Sequence, residues 1–335
     1  MKRSIILFFS LNLSFCVCAQ ISDFANTDFR MADSIAAVYA GHSLGDIRGL
    51  SHKLTQKLPT SQEKFRGIYK WVCENIENDY FLYMKTTRQR AKLKSEEEFK
   101  ARNKKFNATV FKKLIEERKT ICSGYAYLVR ELALHAGLSC VIINGYGRTA
   151  VANVKGKGVP NHTWNAVQLD NKWYLCDATW SSGAINLQQS RFIPGFNEAY
   201  FLADPSIFIR NHYPLDSKWM LVHDDKPSLD VFLTRPVIYS PVYTLNITDL
   251  SPDILEASAV RGDKFSFQFK ADGQSIRHAE LQIRGPAGVI TAVPTIYRSN
   301  SGHYCIDYIF TAKGKHHVHV LLENNYAFSY TIHVQ

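Results

Sequence analysis

The stretch TICSGYAYLVRELALHAG, Thr120 to Gly137, places a cysteine where a loop is expected to become a helix. Apolar residues such as Tyr125 and Leu128 recur at the three- and four-residue spacing of one helix face. Gly137 follows the pattern as a typical residue just beyond a helix C-terminus. Cys122 therefore lies at the N-terminus of a predicted helix, where backbone N–H groups and the helix dipole favour a thiolate.

The helix terminus does not by itself explain a reactive Cys122. A terminus contributes up to ~2 kcal/mol in a favourable buried case, whereas lowering a thiol pKa from about 8.5 to about 6.5 requires ~2.7 kcal/mol. A nearby imidazolium has to supply the remainder. His162 is the candidate, because it opens the strand-like run HTWNAVQL downstream of the helix.

A hairpin signal follows His162. The runs HTWNAVQL and KWYLCDATW are separated by Asp170-Asn171, a pair typical of two-residue turns. Such a turn puts Asp177 opposite Trp164, so Asp177 becomes a diagonal neighbour of His162 on one face of the sheet. Because a carboxylate in an apolar strand needs a polar partner, we predict that Asp177 orients the His162 ring.

The same alternation places Ala166, Trp173 and Leu175 on the face of His162. We expect the helix that begins at Cys122 to pack on this face. A one-residue change of hairpin register would send the histidine and the carboxylate to opposite faces, so the prediction depends on the turn.

Each of these residues also has a structural interpretation. A lone cysteine at a helix start, or a lone histidine in a strand, more often packs than reacts. The combination of Cys122, His162 and Asp177 favours nucleophilic catalysis without a metal or cofactor, and a zinc site on the same residues is the weaker interpretation. His316 lies on the opposite strand face from His317 and His319, so these histidines do not favour a metal site.

The first residues predict export. Lys2 and Arg3 precede an apolar run that reaches Val17, and Ala19 ends a small-residue cleavage pattern. Residues 1–19 are typical of a secretory signal peptide, as in an exported bacterial protein, and the apolar run is too short to span a bilayer. No later run predicts a transmembrane segment, so we expect a periplasmic, cell-surface or secreted protein. Five cysteines follow the cleavage site, and an odd number leaves at least one thiol unpaired.

The basic charge of the chain is concentrated in one segment. The formal net charge of +10 becomes +8 without Lys2 and Arg3, and residues 85–119 hold 13 basic and 5 acidic side chains. This concentration argues against a nucleic-acid binder, whose basic residues spread across a docking face. The segment is interpreted as a solvated helical or partly mobile insertion, or as a lid or docking face for an anionic partner such as a cell-surface polymer.

Two domains are predicted after the signal peptide. Residues 20–225 mix helical and strand patterns and contain the basic insertion, which is typical of an α+β domain. Beyond residue 235, short alternating runs such as KFSFQFK, AELQIRG and HHVHVLLE are separated by turn residues. This pattern predicts an all-β, immunoglobulin-like sandwich over residues 235–335.

Three runs resemble the core of the transglutaminase-like superfamily: CSGYAYLVRELALHAGLSCVIINGYG, NHTWNAVQLDNKWYLCDATW and YFLADPSIFIRNHYPLDSKWMLV. The resemblance is strongest to the kyphoscoliosis-peptidase and cytokinesis-protein branch and includes the upstream run EKFRGIYKWVCENIENDY. It implies a papain-like α+β fold with Cys122 as nucleophile, His162 as base and Asp177 as orienting carboxylate. The chain departs from the family in NDYFLYM, where a Tyr-Asp pair is common, and in the basic insertion.

The resemblance implies acyl transfer from a peptide or a glutamine-type carboxamide through a thioester, in a protease, amidase or transglutaminase. Tyr80 and Tyr83 are candidate donors to the oxyanion, and Trp164 and Trp180 are candidate walls of the site. The alternative is a non-catalytic module that uses the papain-like groove and the β-sandwich to bind a protein or a cell-surface polymer.

Overall fold

The computed structural model describes residues 20–335 except residues 91, 94, 150–158, 187–188, 224–225 and 273–274. The predicted signal peptide and the glycines at 156 and 158 lie outside the described residues. Within the described ranges, no helix combines the length and the apolar character needed to cross a bilayer.

The helices of the described residues lie mainly in the first two thirds of the chain. They are α1 (Arg30–Val38), α2 (Ile47–Thr55), α3 (Ser61–Asn75), α4 (Tyr80–Arg90), α5 (Glu96–Glu117), α6 (Cys122–His135), α7 (Ala178–Ser181), α8 (Pro205–Phe208), α9 (Leu229–Thr234) and α10 (Ser240–Thr244). Short 3-10 helices cover Ile21–Phe24, Leu44–Asp46, Glu198–Tyr200 and Ser217–Met220.

The strands fall into a central group and a C-terminal group. The first group is β1 (Glu77–Asn78), β2 (Lys119–Thr120), β3 (Cys140–Gly147), β4 (His162–Leu169), β5 (Lys172–Cys176), β6 (Gly183–Asn186), β7 (Arg191–Pro194) and β8 (His212–Pro214). The second group is β9 (Val237–Ile238), β10 (Ile247–Ser251), β11 (Glu256–Ala259), β12 (Lys264–Ala271), β13 (Ala279–Gly285), β14 (Gly288–Ala292), β15 (Ile296–Arg298), β16 (Tyr304–Ile309), β17 (Gly314–Leu322) and β18 (Asn325–Val334).

A four-stranded antiparallel sheet, in the order β5-β4-β3-β8, supports the site. Asp170 and Asn171 join β4 to β5 with φ of 49° and 65°, the left-handed pair of a type I′ turn. Asn165 pairs with Cys176 across the hairpin. The predicted two-residue turn and its register are therefore confirmed.

Helix α6 packs on the other face of β4 from the one predicted. Val167 and Cys176 share an apolar cluster with Leu128 of α6. On the same face, Asn165 Nδ2 donates a hydrogen bond to the carbonyl of Ala126 at 2.9 Å. The helix that begins at Cys122 therefore covers the odd-numbered side chains of β4.

The face that carries His162 packs against a different part of the chain. Ala166 and Leu175 form a second apolar cluster with Tyr200 and Phe208, and Trp173 packs against it. The sequence prediction was wrong here because both faces of β4 are buried, so no polar face marks the side away from the helix.

The predicted basic insertion folds largely as α4 and α5. Asp79 Oδ1 accepts a hydrogen bond from the N–H of Leu82 at 2.9 Å, and its second oxygen forms an ion pair with Lys113 of α5. This carboxylate joins the start of α4 to the end of α5. The helical interpretation of the segment is therefore confirmed for these residues.

Two further sheets form the C-terminal region. One has the order β10-β12-β16-β15, and the other has the order β11-β18-β17-β13-β14 with β9 paired to β18. Among the described strands of this region, every pair is antiparallel except β11–β18. Both sheets contribute to one apolar core, which includes Phe267, Phe269, Ile306, Val318, Phe328 and Ile332. The predicted C-terminal β-sandwich is confirmed.

Candidate active site

Cys122 is the first residue of α6, and its side chain is almost fully enclosed, with 7% of the residue exposed. The preceding strand β2 ends at Thr120 and pairs in parallel with β1. Only Ile121 separates the strand from the helix, so the thiol lies at the N-terminus of α6. All five described cysteines are free thiols.

His162 opens β4 and hydrogen-bonds to Asp177. Its Nε2 lies 2.7 Å from Asp177 Oδ2, and both side chains are buried. The side chains of His162 and Cys122 also lie close enough to interact, and each shifts the pKa of the other. Because Nε2 already faces the carboxylate, Nδ1 is the nitrogen that remains for the thiol. The structure therefore brings the three predicted residues together.

The interactions among Cys122, His162 and Asp177 favour a thiolate on the cysteine and an imidazolium on the histidine. Burial raises the pKa of the Cys122 thiol, but the hydrogen bond and charge of His162 outweigh burial and lower it below its usual range. Burial lowers the pKa of His162, yet the charge and hydrogen bond of Asp177 raise it to about 10. Burial also opposes ionisation of Asp177, but the two imidazoles that face it hold its pKa below the usual range.

The neighbouring cysteines behave in the opposite way. Burial raises the pKa of Cys140 to about 12 and raises the pKa values of Cys73 and Cys176 well above their ordinary values. Burial without an imidazole partner therefore makes a thiol inert in this protein. Cys122 differs from these three because His162 contacts it.

Residues 48–178 match the sequence model of the transglutaminase-like superfamily. This chain contains a transglutaminase-like domain. Across 218 residues it is 30% identical to kyphoscoliosis peptidase of Mus musculus, over 64% of this chain and 30% of that protein. It is 25% identical to Hillarin of Drosophila melanogaster over 211 residues, or 58% of this chain and 23% of Hillarin. Cytokinesis protein 3 of Schizosaccharomyces pombe is 29% identical over 123 residues, or 36% of this chain and 14% of that protein.

The family resemblance and the branch within it are therefore confirmed. The chain spans less than a third of the length of each of these relatives. Bacterial origin stays a prediction.

The site contains a fourth polar residue that the sequence did not single out. His212, in β8, lies with its Nε2 3.1 Å from the same Asp177 oxygen that His162 contacts. Its ring stacks on Phe208 at 3.8 Å between centroids, and Nδ1 lies 2.7 Å from Asn211 Oδ1. Burial lowers the pKa of His212 to about 4, so the ring is neutral at neutral pH.

The predicted wall residues flank the imidazole of the transglutaminase-like domain. The ring of Trp180 stacks on His162 at 5.1 Å, and the ring of Trp164 stacks on it at 5.9 Å. Tyr83 is near enough to Cys122 for the thiol to contribute to the raised pKa of the tyrosine after the larger effect of burial, whereas Tyr80 lines a cleft beside α4. Both tryptophans therefore pack on the His162 ring, and Tyr83 lies near the thiol.

An arginine of α4 adds positive charge near the thiol. Arg90 Nη1 donates a hydrogen bond to the carbonyl of Asn161 at 2.5 Å, next to His162 in the chain. The Arg90 charge contributes to the lowered pKa of Cys122 after the larger effects of burial and His162. No motif in the sequence distinguished Arg90 from the other basic residues of the insertion.

The site also brings together three groups of types that bind metals in other proteins. Among the described residues, the ligand atoms of His162, Asp177 and His212 lie within 4.8 Å of one another. The two Nε2 atoms are at hydrogen-bond distances, 2.7 and 3.1 Å, from one carboxylate oxygen. Tetrahedral zinc, with bonds of about 2.0–2.1 Å, spaces its ligand atoms by about 3.3 Å. The spacing fits shared protons better than a shared metal ion.

Gly147 leaves room for the His162 ring, and Gly147→Ala is expected to slow acyl transfer by about 100-fold. A Cβ at residue 147 would lie 2.9 Å from both Cβ and Cγ of His162, and displacement of a catalytic group by about 1 Å has effects of this size. The measurement is kcat/KM together with thermal unfolding. Gly195→Ala is the control, because a Cβ there meets nothing within 4 Å. Equal activity of the two variants would contradict the role of Gly147.

Proposed function

We propose that this chain is a thiol acyl-transfer enzyme that acts on a peptide or a glutamine-type carboxamide through a thioester. Whether a protease, an amidase or a transglutaminase, it would use Cys122 as nucleophile, His162 as base and Asp177 as orienting carboxylate. The observation that carries the proposal is the buried His162 ring, whose Nε2 lies 2.7 Å from Asp177 and which is close enough to Cys122 to lower the pKa of the thiol. This is the arrangement of an activated nucleophile.

The first half of the reaction forms the thioester. The Cys122 thiolate attacks the carbonyl carbon, and the carbonyl oxygen takes the negative charge of the tetrahedral intermediate. As the C–N bond breaks, the His162 imidazolium donates its proton to the departing amine. Asp177 holds the ring in place and stabilises its positive charge until that transfer.

The second half releases the acyl group. Water or a second amine gives a proton to neutral His162 as it attacks the thioester, and the C–S bond breaks. The regenerated thiolate again faces an imidazolium. Hydrolysis and cross-linking therefore share every residue named here and differ in the acceptor.

Two groups are proposed to bind the oxyanion. The N–H of Cys122 has no carbonyl partner one turn back, because the residue begins α6. Tyr83 is the second donor, since burial raises the pKa of its hydroxyl and keeps its proton in place. Trp164 and Trp180 are proposed to keep water from the His162 ring, which lies between them.

The wider setting of this activity is also proposed. Residues 20–225 would form the catalytic domain and residues 235–335 a separate β-sandwich domain. The chain would be exported after cleavage near Ala19 and would act on a protein substrate outside the cytoplasm. The basic insertion at 85–119 would contact an anionic partner there.

The decisive experiment is to trap the thioester. The protein is incubated with a glutamine-containing peptide library and quenched in acid, and the acylated peptides are then identified by mass spectrometry. We expect an acyl group on the fragment that contains Cys122, and none in Cys122→Ala. We also expect iodoacetamide to label Cys122 at least about tenfold faster than the buried Cys140. Equal labelling of the two cysteines would falsify the proposal and favour a binding module.

A further inference from the structure

A cleft beside α4 has a distinctive lining. We call it the α4 cleft; it has a volume of about 480 Å³ and is lined by Tyr80, Phe81, Met84, Lys85, Arg88, Gln89, Lys92 and Ser190. All but two of these residues belong to α4. Lys92 follows the helix, and Ser190 lies in the turn between β6 and β7, across the cleft from α4.

The charged residues that line the α4 cleft are all basic. Lys85, Arg88 and Lys92 are exposed, and none of the described residues that line the cleft is acidic. In the part of the chain that the structure describes, these three side chains form no ion pair. Other basic residues of the same segment do have acidic partners, as Lys113 has with Asp79. The cleft therefore attracts anionic groups.

The α4 cleft also has an apolar wall. Phe81 exposes 75% of its surface, and Tyr80 and Met84 lie beside it. Large exposed aromatic side chains next to cationic ones are typical of surfaces that bind peptides. A simple polyanion such as a sulfated or phosphorylated polymer has no apolar side chains to place against Phe81.

Helix α4 connects the cleft to the candidate nucleophile. Arg90 lies on α4 and lowers the pKa of Cys122, and Tyr83, on the same face of the helix, has its own pKa raised in part by Cys122. Lys85 and Arg88 line the cleft on the opposite face of α4. A peptide whose reacting carbonyl is at Cys122 would cross this helix, about 10–12 Å wide, to reach these cations.

We propose that the α4 cleft is a substrate-binding subsite for an acidic segment of a protein substrate, with carboxylates at Lys85, Arg88 and Lys92 and an apolar side chain at Phe81. The proposal rests on the proposed function and defines its substrate class: proteins with acidic residues and an apolar residue near the reacting carboxamide. The carboxylates would form charge-assisted hydrogen bonds with the three cations.

Peptide binding to the full chain carrying Cys122→Ala tests the subsite, since this variant binds without turnover. Two fluorescent peptides differ only in four glutamates replaced by four glutamines around a central leucine pair. At low salt we expect the acidic peptide to bind about tenfold more tightly, and the preference to fall as salt rises. Lys85→Glu, Arg88→Glu and Lys92→Glu together should abolish the preference.

A matched control separates the cleft from net charge. Lys57→Glu, Lys313→Glu and Lys315→Glu change the charge equally at exposed positions that do not line the cleft, and this variant should keep the preference. The proposal is wrong if the two peptides bind equally, or if both triple variants behave alike. It is also wrong if a polysulfated polymer binds the cleft while the acidic peptide shows no preference.

A separate measurement tests the proposed function independently of the subsite. Iodoacetamide labelling of Cys122 in the unmodified chain reports the nucleophile without any peptide. Slow labelling together with selective binding of the acidic peptide would contradict the enzyme and keep the subsite. Fast labelling with equal binding of both peptides would contradict the subsite alone.

Discussion

Replacing His162 with alanine is expected to slow the alkylation of Cys122 at neutral pH by more than about tenfold and to abolish acyl transfer. The hydrogen bond and charge of His162 are the largest effects that lower the pKa of the thiol, and burial opposes them. Without the imidazole, Cys122 becomes a buried thiol like Cys140, whose pKa burial raises to about 12. Each unit of pKa costs about tenfold in thiolate below the pKa. Loss of the general acid and base removes a further ~10²–10⁴-fold from acyl transfer.

The pH profile of iodoacetamide alkylation checks this prediction. The thiolate reacts, so the rate rises as pH increases through the pKa of Cys122. A lowered pKa places that rise below the usual thiol range in the unmodified chain. In His162→Ala the lowering effect is absent and burial remains, so the rise must move to higher pH.

His316→Ala is the control for loss of a buried histidine. His316 is 5% exposed and contacts Ala312 in the C-terminal sandwich. Its variant should keep the alkylation profile of the unmodified chain. An unchanged profile in His162→Ala would show that the imidazole does not activate the thiol.

The hairpin that joins His162 to Asp177 was predictable because its determinants are local. Asp170 and Asn171 tolerate the positive φ that a type I′ turn requires. Once the turn is fixed, strand alternation alone places the carboxylate diagonal to the imidazole. The start of α6 at Cys122 was predictable for the same reason, because the sequence pattern that indicates the helix lies within the helix itself.

The position of His212 was not predictable from local patterns. It reaches Asp177 because the short strand β8 pairs with β3, at the opposite edge of the sheet from β5. No turn or periodicity in the sequence specifies that pairing. A possible signal was the run IFIRNHYP, where a polar Asn-His pair follows apolar residues and needs partners when buried.

The side of the sheet that α6 covers depended on long-range packing as well. The even-numbered side chains of β4, such as Trp164 and Ala166, are as deeply buried as Val167. Strand periodicity separates two faces but does not tell which one meets a given helix. The second face of β4 is covered by segments near Tyr200 and Phe208, which are distant from β4 in the sequence.

Asp177→Asn is expected to lower kcat/KM by about 10²–10⁴-fold while most of the stability remains. Asp177 uses Oδ1 to accept a hydrogen bond from the N–H of Thr179, at the start of α7, and Oδ2 to face His162 and His212. Asparagine can keep its oxygen on Thr179. Its NH₂ group then faces both histidines.

Replacing the acceptor oxygen with a donor NH₂ group changes which ring nitrogen of His162 carries the proton. With NH₂ opposite it, Nε2 must accept a hydrogen bond, so the proton of the neutral ring moves to Nδ1. That nitrogen faces Cys122, where neutral His162 requires a lone pair to take a proton from the water or amine that attacks the thioester. The positive charge of the ring also loses the carboxylate that raises its pKa.

Asp177→Ala distinguishes positioning from simple loss of structure. Alanine removes the cap of α7 and leaves His162 and His212 without their shared acceptor inside the protein. We expect the free energy of unfolding to fall by ~3–5 kcal/mol, as for a broken buried ion pair. Urea unfolding of the two variants, measured beside kcat/KM, makes the comparison. If Asp177→Asn lost as much stability as Asp177→Ala, or kept normal kcat/KM, the carboxylate would be a structural anchor and not the group that orients His162.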